Sequence, residues 1–527
     1  MGLFYFLTFS DAAKYADVAR NISEGNGFVT NFTFFNNNLF KYSEGLFPVK
    51  SIPKLYPYML SIFFRIFGPG DNSVLLLSWA FYLLSILVAY FLGKKLFGKL
   101  SGLLFSIVLA MYIQVLDFAR TGAVEMFFIF ELLLSFYLLS FNKIKYQVVG
   151  LAIALLTFLT KPQAVLFVIP LFLVFCFRNF SLKKLVKIFL IILAGFMIFD
   201  YVYFKPVYKH SLIYPIVVRG MEASRNYYPG EGTSNRLRGS SEPALTNEGV
   251  AKKTFYNLYN FYRLIPQYMS PYLFSFFIFS LLWWSRKRDE NLLKLTIVIM
   301  TMIVFIATAF TIPLLRYLIP VVPLIYLYSI GFIVFLVRRV IDDQWLGFKK
   351  YFPEAVFKKT LIVISAGYLI LIFSVGQSAG VLLLDSRFED KMVNSGKPRV
   401  YVELGKILLE NTTPDDLIVT NLDTWGSWYG ERKTVWFPLK PDMLKNPKNG
   451  LNPFDAIYLT SYLIDDENYY MGPEWRQIFD NPQDIENDFI RENFVFVQEF
   501  KINADSVYEK YDARAILLTK KQNTNSN

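Results

Sequence analysis

Residues 72–92 read NSVLLLSWAFYLLSILVAYFL, a largely apolar run without a charged side chain. Its length matches the roughly 20 residues that an α-helix needs to cross the hydrocarbon core of a bilayer. The rest of the chain has the same character, since 54% of its 527 residues are hydrophobic, only 18% are charged, and the mean hydropathy is +0.36. A soluble core does not require that much apolar surface. The sequence therefore predicts an integral membrane protein.

Further runs of similar length predict a polytopic α-helical protein with about ten full spans. The predicted spans are residues 72–92, 100–116, 122–141, 146–160, 162–177, 185–204, 265–284, 295–311, 313–337 and 361–384. The apolar stub before Asp11 has about nine residues, too few to cross a bilayer. It is either a truncated first span or a segment that dips into the membrane.

Lysine and arginine collect in alternate loops, the distribution that marks the cytoplasmic side of a membrane protein. These basic loops fall at residues 94–99, 143–145, 178–187, 286–294 and 338–359. The protein is then expected to be a multi-pass protein of the cell membrane. Its intervening segments, including 11–71, 205–263 and everything after 385, are expected on the outer side of that membrane. The net charge of +12 follows from this topology and requires no nucleic acid.

The composition changes after residue 384 to that of a soluble domain. Short β-branched or aromatic runs predict strands at 417–420, 434–437, 456–459, 494–500 and 515–519, with helices at 402–410 and 472–480. We therefore expect two parts. Residues 1–384 form a transmembrane module with large outer loops at 11–71 and 205–263, and residues 385–527 form a small extracytoplasmic α/β domain.

Two loops in these outer parts are candidates for ligand binding or for a lid. The segment 205–263 is rich in Tyr, Arg, Gly and Ser, and its length favours a partly ordered lid. Residues 423–430, DTWGSWYG, follow the first predicted strand, a common position for a ligand loop. The same aromatic residues would also suit a packing corner.

The rare residue types exclude several kinds of site. Cys176 is the single cysteine and lies in an apolar run, so neither a disulfide framework nor a thiolate metal cluster can form within the chain. His210 is the single histidine, which excludes a multi-histidine metal site. Acid–base chemistry must therefore depend on carboxylates, Tyr or Lys.

Three basic residues lie at the predicted outer ends of spans, where the bias in favour of cytoplasmic cations disfavours them. They are Arg120, Lys161 and Arg316. Each could reach toward outer-leaflet headgroups on its own. Three at one membrane face favour a bound phosphate.

Asp11 begins a polar amphipathic stretch that ends at Gly25 and Gly27. One interpretation is a helix N-cap, in which Ser10 or Asp11 accepts hydrogen bonds from free N–H groups. The other is catalysis by the carboxylate. Asp11, Asp17 and Glu44 together could also bind a divalent cation, although their spacing does not require one.

Several motifs in order resemble the GT-C superfamily of membrane glycosyltransferases, in particular family 39, the protein mannosyltransferases, and the aminoarabinose-transferase-like branch. They are Asp11-x-x-Lys14-Tyr15 continuing to Gly25-x-Gly27-Phe28, then Pro53-Lys54-Leu55-Tyr56-Pro57, Ala119-Arg120-x-Gly122-x-x-Glu125, Thr160-Lys161-Pro162 and Arg316-Tyr317-x-x-Pro320. The family's usual Lys-Pro-Pro-Leu pattern is replaced here by Ile52-Pro53-Lys54-Leu55. The resemblance covers residues 11 to about 323, and the domain after 385 is similar to the family's C-terminal appendage.

The resemblance implies an enzyme that transfers a sugar from a polyprenyl-phosphate donor to a lipid, glycan or protein acceptor outside the membrane. Inversion at the anomeric carbon is implied as well. Phosphate is a good leaving group, so the reaction needs one base and no acid, unlike glycosidases with paired carboxylates. Asp11, with a pKa raised by partial burial, is the expected base.

The remaining site residues fall into two groups. The donor phosphate is expected to contact Lys14, Lys54, Arg120, Lys161 and Arg316, with Lys50 in reserve. The acceptor or the supporting contacts are expected to involve Asp17, Glu44, Glu125 and Tyr317. Glu125 would orient Arg120 or bind the acceptor, or else form a purely structural pair with Arg120. No cofactor is required by the sequence, and a divalent cation stays an option.

The alternative function is a polytopic transporter or lipid flippase without transferase activity. Such proteins commonly have internal repeats and charged or broken segments near the midplane of the membrane. The ionisable residues here cluster instead at the predicted outer ends of spans. The sequence therefore favours the transferase.

Overall fold

The computed structural model describes residues 7, 9–35, 46–49, 52–205, 224, 245–283, 288–311, 313–348, 355–384, 400–446, 452–461, 471–505 and 510–521. Glu44 and Lys50 lie outside the described residues. So does most of the predicted lid, of which the last part is a helix, Asn247–Arg263.

The first helix of the described residues is α1, Ser10–Ser23, close to the predicted amphipathic segment. Gly25 and Gly27 follow it with φ angles of 89° and 86°, the left-handed region that glycine adopts without a steric penalty. These two residues end the helix and lead into strands β1, Val29–Thr30, and β2, Phe32–Phe34. Strand β3, Phe47–Pro48, pairs antiparallel with β1.

The helical module continues with a series of apolar helices. They are α2, Leu55–Phe67; α3, Asp71–Phe97; α4, Lys99–Met111; α5, Ile113–Thr121; α6, Glu125–Leu139; α7, Ile144–Leu156; α8, Val165–Asn179; and α9, Leu182–Phe199. Further on lie Asn247–Arg263, Ile265–Tyr268, Pro271–Leu282, Arg288–Phe310, Val322–Phe348 and Ala355–Leu384. Short 3₁₀ turns occupy Thr157–Leu159, Pro162–Ala164, Leu315–Tyr317 and Ile319–Val321.

Fewer helices than predicted are long and apolar enough to cross a bilayer. Among the described residues five qualify, namely Asp71–Phe97, Pro162–Asn179, Asp289–Phe310, Leu315–Asp342 and Phe357–Ser374. A sixth results if α4 and α5, which meet at a bend of 56°, form one broken span. By this criterion the prediction of about ten full spans is too high.

The predicted spans that fail have physical reasons for doing so. Helix α6 has 15 residues and contains Glu125 and Glu131. Helices α7 and Pro271–Leu282 have only 13 and 12 residues. Helix α9 has three lysines in its first two turns. Apolar composition alone therefore overestimated the number of helices that can cross a membrane.

A six-stranded mixed sheet follows the helices. Its later strands are β4, Leu417–Thr420; β5, Lys433–Trp436; β6, Ala456–Thr460; β7, Phe494–Asp505; and β8, Lys510–Lys520, in the order β2-β5-β4-β6-β8-β7. The five predicted strands are confirmed. The first four in sheet order run parallel, whereas β8 pairs antiparallel with both β6 and β7.

The sixth strand of this sheet comes from the N-terminal loop. Residues Phe32, Thr33 and Phe34 of β2 pair with Thr434, Val435 and Trp436 of β5. The first loop and the C-terminal sheet are therefore joined by backbone hydrogen bonds. The predicted division at residue 384 stays a prediction.

The two faces of the sheet belong to two hydrophobic clusters. Ile418, Tyr458 and Leu517 pack into the large cluster that includes the helical module, whereas the neighbouring Val419 and Leu459 pack into a smaller one. This alternation is what a strand buried on both faces requires. The helix Val400–Asn411 covers the first face, since the Tyr458 hydroxyl donates to the Leu404 carbonyl at 3.0 Å. The helix Pro473–Asp480 covers the second.

Candidate active site

Asp11 and Arg316 form the centre of the candidate site. Asp11 lies in the first turn of α1, and Arg316 lies in the 3₁₀ turn Leu315–Tyr317, 305 residues later in the chain. Arg316 donates from Nη1 to Oδ2 of Asp11 at 2.7 Å. The two side chains are 29% and 38% exposed, Arg316 and Asp11 respectively. The pair is therefore accessible from outside the protein.

The pKa of Asp11 is lowered, in contrast to the expectation that it is raised. Burial alone would raise the pKa, but the positive charges of Arg316, Lys14 and Lys161 outweigh it. Asp11 is consequently an ionised carboxylate in this state. From the sequence, Lys14 was expected to be able to hold Asp11 ionised, and the expectation of a raised pKa did not include the charges of Arg316 and Lys161.

Lys161 is the second cation at the site, and Glu125 holds it in place. It lies between the 3₁₀ turns Thr157–Leu159 and Pro162–Ala164, where the backbone is extended. Its Nζ donates to Oε1 of Glu125 at 2.6 Å, and both side chains are nearly buried, 10% and 1% exposed. The other carboxylate oxygen, Oε2, has no hydrogen-bond partner in the described part of the chain. That oxygen is itself buried.

Tyr317 joins the two cations. The Lys161 ammonium group lies 5.8 Å from the Tyr317 ring centre, and the Arg316 guanidinium lies 5.5 Å from the same ring. The aromatic ring stabilises both cations through its quadrupole. The predicted residues Asp11, Lys161, Glu125, Arg316 and Tyr317 are thus brought together.

Arg120 has a different partner from the one expected. Its Nε and Nη2 both donate to Oδ1 of Asp117, at 3.0 and 2.5 Å, one helical turn earlier in α5. Glu125 pairs with Lys161 instead, so both the idea that Glu125 orients Arg120 and the idea of an Arg120–Glu125 pair are wrong. Asp117 was missed, although its spacing of three residues from Arg120 on a helix was a usable signal.

Lys14 and Lys54 both lie over aromatic rings. The Lys14 ammonium group is 5.1 Å from the Phe34 ring and contributes to lowering the pKa of Asp11. Lys54, at the start of α2, is exposed and lies 5.6 Å from the Phe28 ring. The structure therefore relates Lys14 to Asp11 and gives Lys54 a contact with the first loop.

Asp17 has a structural role in place of the expected role at the acceptor. Its side chain is fully buried. It accepts from Arg20 Nη2 at 2.9 Å, from Thr30 Oγ1 at 2.7 Å, and from the backbone and side-chain nitrogens of Asn31 at 2.7 and 2.9 Å. Four donors use the lone pairs of a carboxylate. Asp17 therefore fixes α1 to the strand that follows, and neither an acceptor nor a metal can reach it.

The described residues contain no group of three or more His, Cys, Asp or Glu side chains that could hold a metal ion. The suggested set of Asp11, Asp17 and Glu44 loses Asp17 to its four donors, and Glu44 lies outside the described residues. A divalent cation at the site stays a prediction.

The aromatic loop 423–430 forms a packing corner against the helical module. Trp428 donates from Nε1 to Oδ1 of Asp71 at 2.7 Å, and the Tyr429 hydroxyl donates to Oδ2 of the same residue at 2.8 Å. Beside this corner, at the C-terminal end of α1, lies a polar cleft of about 520 Å³ lined by residues that include Arg20, Asp71 and Glu431. Asp11, at the other end of α1, does not line it.

Residues 51–204 match the family described as dolichyl-phosphate-mannose-protein mannosyltransferase. No curated protein sequence matches the chain significantly. The family match covers α2 to α9 and includes Arg120, Glu125 and Lys161.

Two solved proteins have a similar fold. The structure of ArnT from Cupriavidus metallidurans in the apo state is 13% identical, with a TM-score of 0.52 over 98% of this chain and 94% of ArnT. The same protein bound to undecaprenyl phosphate gives a TM-score of 0.51. The archaeal oligosaccharyltransferase AglB from Archaeoglobus fulgidus, in complex with an inhibitory peptide and a dolichol-phosphate, is 11% identical, with a TM-score of 0.51 over 87% of this chain and 66% of AglB. Residues 51–204 thus match a glycosyltransferase family within a chain whose fold is similar to that of ArnT, in agreement with the expected resemblance to multi-pass membrane glycosyltransferases.

Proposed function

We propose that this protein transfers a sugar from a polyprenyl-phosphate donor to an acceptor on the outer face of the membrane. The observation that carries the proposal is the convergence of Asp11, Lys161 and Arg316 from three distant parts of the chain: Arg316 pairs with Asp11, and the Tyr317 ring contacts both Arg316 and Lys161. The fold supports the same class of donor, since ArnT was solved with undecaprenyl phosphate and AglB with a dolichol-phosphate.

Asp11 acts as the general base in this proposal. The acceptor hydroxyl attacks the anomeric carbon, the bond from that carbon to the phosphate oxygen breaks, and the phosphate leaves with the electron pair. The acceptor proton passes to the Asp11 carboxylate. A single displacement of this kind inverts the configuration at the anomeric carbon.

Lys161 and Arg316 stabilise the negative charge that develops on the leaving phosphate. Fixed cations in a water-poor site stabilise such charge without reorganising during the reaction. Glu125 and Tyr317 hold Lys161 at its position, since Glu125 accepts from it at 2.6 Å and the Tyr317 ring lies 5.8 Å away. Arg120, held by Asp117, and Lys14 and Lys54 complete the proposed set of donor-phosphate contacts.

Binding of the donor raises the pKa of Asp11 and so makes it a stronger base. In the resting state Arg316 and Lys161 lower the pKa of Asp11 and make it a weak base. A bound phosphate anion offsets those positive charges, so the pKa of Asp11 rises again when the donor is present. The carboxylate is thus kept ionised until the donor arrives and becomes more basic in the complex.

The proposal is tested with the isosteric variant Asp11→Asn. The assay measures release of polyprenyl phosphate from a panel of polyprenyl-phosphate sugars by the purified protein with an acceptor extract. We expect turnover to fall by about 10²- to 10⁴-fold, the contribution of a general base. Asp415→Asn serves as the matched control, because the Asp415 side chain is fully exposed.

Two results would contradict the proposal. Unchanged turnover in Asp11→Asn would exclude Asp11 as the base. Movement of the lipid across a vesicle membrane without release of the sugar would support the transporter alternative. The proposed displacement requires no cofactor, and repeating the assay with EDTA tests the divalent cation.

A further inference from the structure

The helix Asn247–Arg263 has a row of exposed aromatic side chains. Phe255, Tyr256, Tyr259 and Tyr262 are 74%, 52%, 59% and 71% exposed. Their spacing places them on one side of the helix, because Phe255 is four and seven positions before Tyr259 and Tyr262, and Tyr256 is three positions before Tyr259. We call this row the aromatic stripe. The buried residues of the helix, Val250, Lys253, Asn257 and Phe261, lie on the opposite side.

The buried side of the helix fixes its depth relative to a membrane span. Lys253 donates from Nζ to the Thr311 carbonyl at 3.3 Å, and Asn257 donates from Nδ2 to the Ala309 carbonyl at 2.9 Å. The Phe261 ring lies 6.0 Å from the Phe305 ring. The helix thus runs antiparallel along the last turns of the candidate span Asp289–Phe310, over about 9 Å of that span at 1.5 Å per residue.

This end of the span is on the same side of the protein as the candidate site. Arg316, which pairs with Asp11, follows Thr311 by only five residues. The aromatic stripe therefore lies at the membrane boundary next to the site, between the end of the span and the level of Phe305.

Exposed apolar side chains also occur on the span against which this helix packs and on a later helix. On the span itself Met302 and Ile306 are 58% and 53% exposed, and on the helix Pro271–Leu282 Tyr272 is 57% exposed. The Tyr272 ring stacks on Phe373 of the span Phe357–Ser374. Exposed apolar surface on candidate spans is what lipid tails cover.

The chemistry of the stripe is that of a membrane interface. Tyrosine has an apolar ring and a polar hydroxyl, and is enriched where the hydrocarbon core meets the headgroups. Arg263 at the end of the stripe lies 5.8 Å from the Tyr259 ring and suits a headgroup phosphate, whereas the exposed Lys252 before the stripe pairs with Glu248 at 2.7 Å. A soluble protein partner would not require exposed apolar residues on the span against which the helix packs.

We propose that the aromatic stripe is a lipid-binding surface, with its tyrosines at the headgroup boundary of the leaflet that adjoins the candidate site. Its ligand is the bulk phospholipid of that leaflet. The bound lipid holds the helix at a fixed depth and, through Thr311, supports the segment that leads to Arg316. This inference does not depend on the proposed transferase activity.

The experiment attaches a label to one introduced cysteine, which is possible because the chain has a single cysteine to remove. Cys176 is buried and is first replaced by Ser, and Tyr259→Cys then receives an environment-sensitive fluorophore. The full-length protein is placed in vesicles of phosphatidylethanolamine and phosphatidylglycerol with a nitroxide quencher at the headgroup or at the end of the acyl chain. Two control positions are Lys406→Cys, 60% exposed on the helix Val400–Asn411, and Ile364→Cys, 61% exposed within a candidate span.

We expect the label at 259 to show blue-shifted emission and to be quenched more by the headgroup nitroxide than by the acyl-chain nitroxide. If the label at 259 emitted as it does in water, as we expect for the control label at 406, the proposal would be overturned. Quenching mainly by the acyl-chain nitroxide, as expected at 364, would overturn the placement at the headgroups. Quenching that requires added polyprenyl phosphate would assign the surface to the donor lipid and overturn the assignment to bulk phospholipid.

Discussion

At the scale of single residues, the charge around Asp11 determines how it can work as a base. Burial raises its pKa, and Arg316, followed by Lys14 and Lys161, lowers it below the ordinary value. The Asp11–Arg316 pair therefore stabilises the folded state at neutral pH, and this stabilisation is lost as the pH falls through the lowered pKa of Asp11. Activity that depends on the ionised base is lost in the same acidic range.

The variant Arg316→Gln should raise the pKa of Asp11, because the largest opposing cause is removed while burial remains. We expect the acidic limb of the pH profile of kcat/KM, which reports the free enzyme, to move to higher pH. Lys14→Met should move the acidic limb in the same direction by less, since the charge of Lys14 comes after that of Arg316 among the causes that lower the pKa of Asp11. An acidic limb that stays in place in both variants would show that Asp11 is not the group that titrates.

The buried Lys161–Glu125 pair allows stability to be separated from chemistry. Lys161→Met leaves the Glu125 carboxylate buried without its cation, which should cost about 3 to 5 kcal/mol of unfolding free energy. The double variant Lys161→Met with Glu125→Gln removes that uncompensated charge, so thermal stability in detergent should largely return. Turnover should stay reduced by about 10²- to 10³-fold, because the cation at the phosphate is still missing. Recovery of turnover together with stability would limit Lys161 to a structural role.

The candidate residues could be predicted from the sequence more readily than their pairing. Asp11, Lys161 and Arg316 stood out because of their motifs and their positions at the ends of apolar runs. The partner of Arg120 and the four donors to Asp17 depend on how α1, β1 and α5 pack, which a single sequence does not specify. The lowered pKa of Asp11 has the same origin, since Arg316 approaches it from 305 residues away.

At the scale of elements, α3 and α4 pack most closely where two glycines meet. A Cβ added at Gly93 would lie 2.8 Å from the Gly102 Cα, and one added at Gly102 would lie 2.6 Å from the Tyr90 carbonyl oxygen and 2.7 Å from the Lys94 nitrogen. These neighbours are backbone atoms and cannot turn away. Glycine lets the two helices approach in the way that small residues do in membrane proteins.

The variant Gly102→Ala should therefore force α3 and α4 apart and cost about 1 to 3 kcal/mol, as overpacking usually does. A thermal unfolding measurement in detergent should show a lower midpoint. Gly367→Ala is the matched control, because nothing lies within 4 Å of a Cβ added there. Equal midpoints for the two variants would contradict the close helix contact.

The elements differ in how well the sequence predicts them. Strands β4 to β8 were predicted because their apolar residues are bounded by turns. Strand β2 has three residues and forms only by pairing with β5, so no local pattern marks it. The number of spans was overestimated because short apolar helices such as Pro271–Leu282 have the composition of a span without its length.

At the scale of the whole molecule, α1 joins the helical module to the C-terminal sheet region. Arg20 donates to the Ser427 and Trp428 carbonyls at 2.6 and 3.1 Å while it pairs with Asp17. The Trp428 ring contacts both the Arg20 guanidinium, at 5.0 Å, and the Phe64 ring of α2, at 6.0 Å. The helix that positions Asp11 at one end is therefore held at its other end by the aromatic corner.

This arrangement predicts that loss of Arg20 loosens both regions at once. Arg20→Met removes two hydrogen bonds to the corner and leaves Asp17 buried without its cation, which should cost about 3 kcal/mol or more. Hydrogen–deuterium exchange should then show less protection both in Ser10–Ser23 and in Trp425–Trp428, whereas the exposed control Lys406→Ala should change neither. Turnover should fall less than in Asp11→Asn, because the chemical groups remain and only the helix that positions the base is loosened. If exchange increased in the corner alone, α1 would be held by its contacts with α2, and the position of Asp11 would not depend on the C-terminal region.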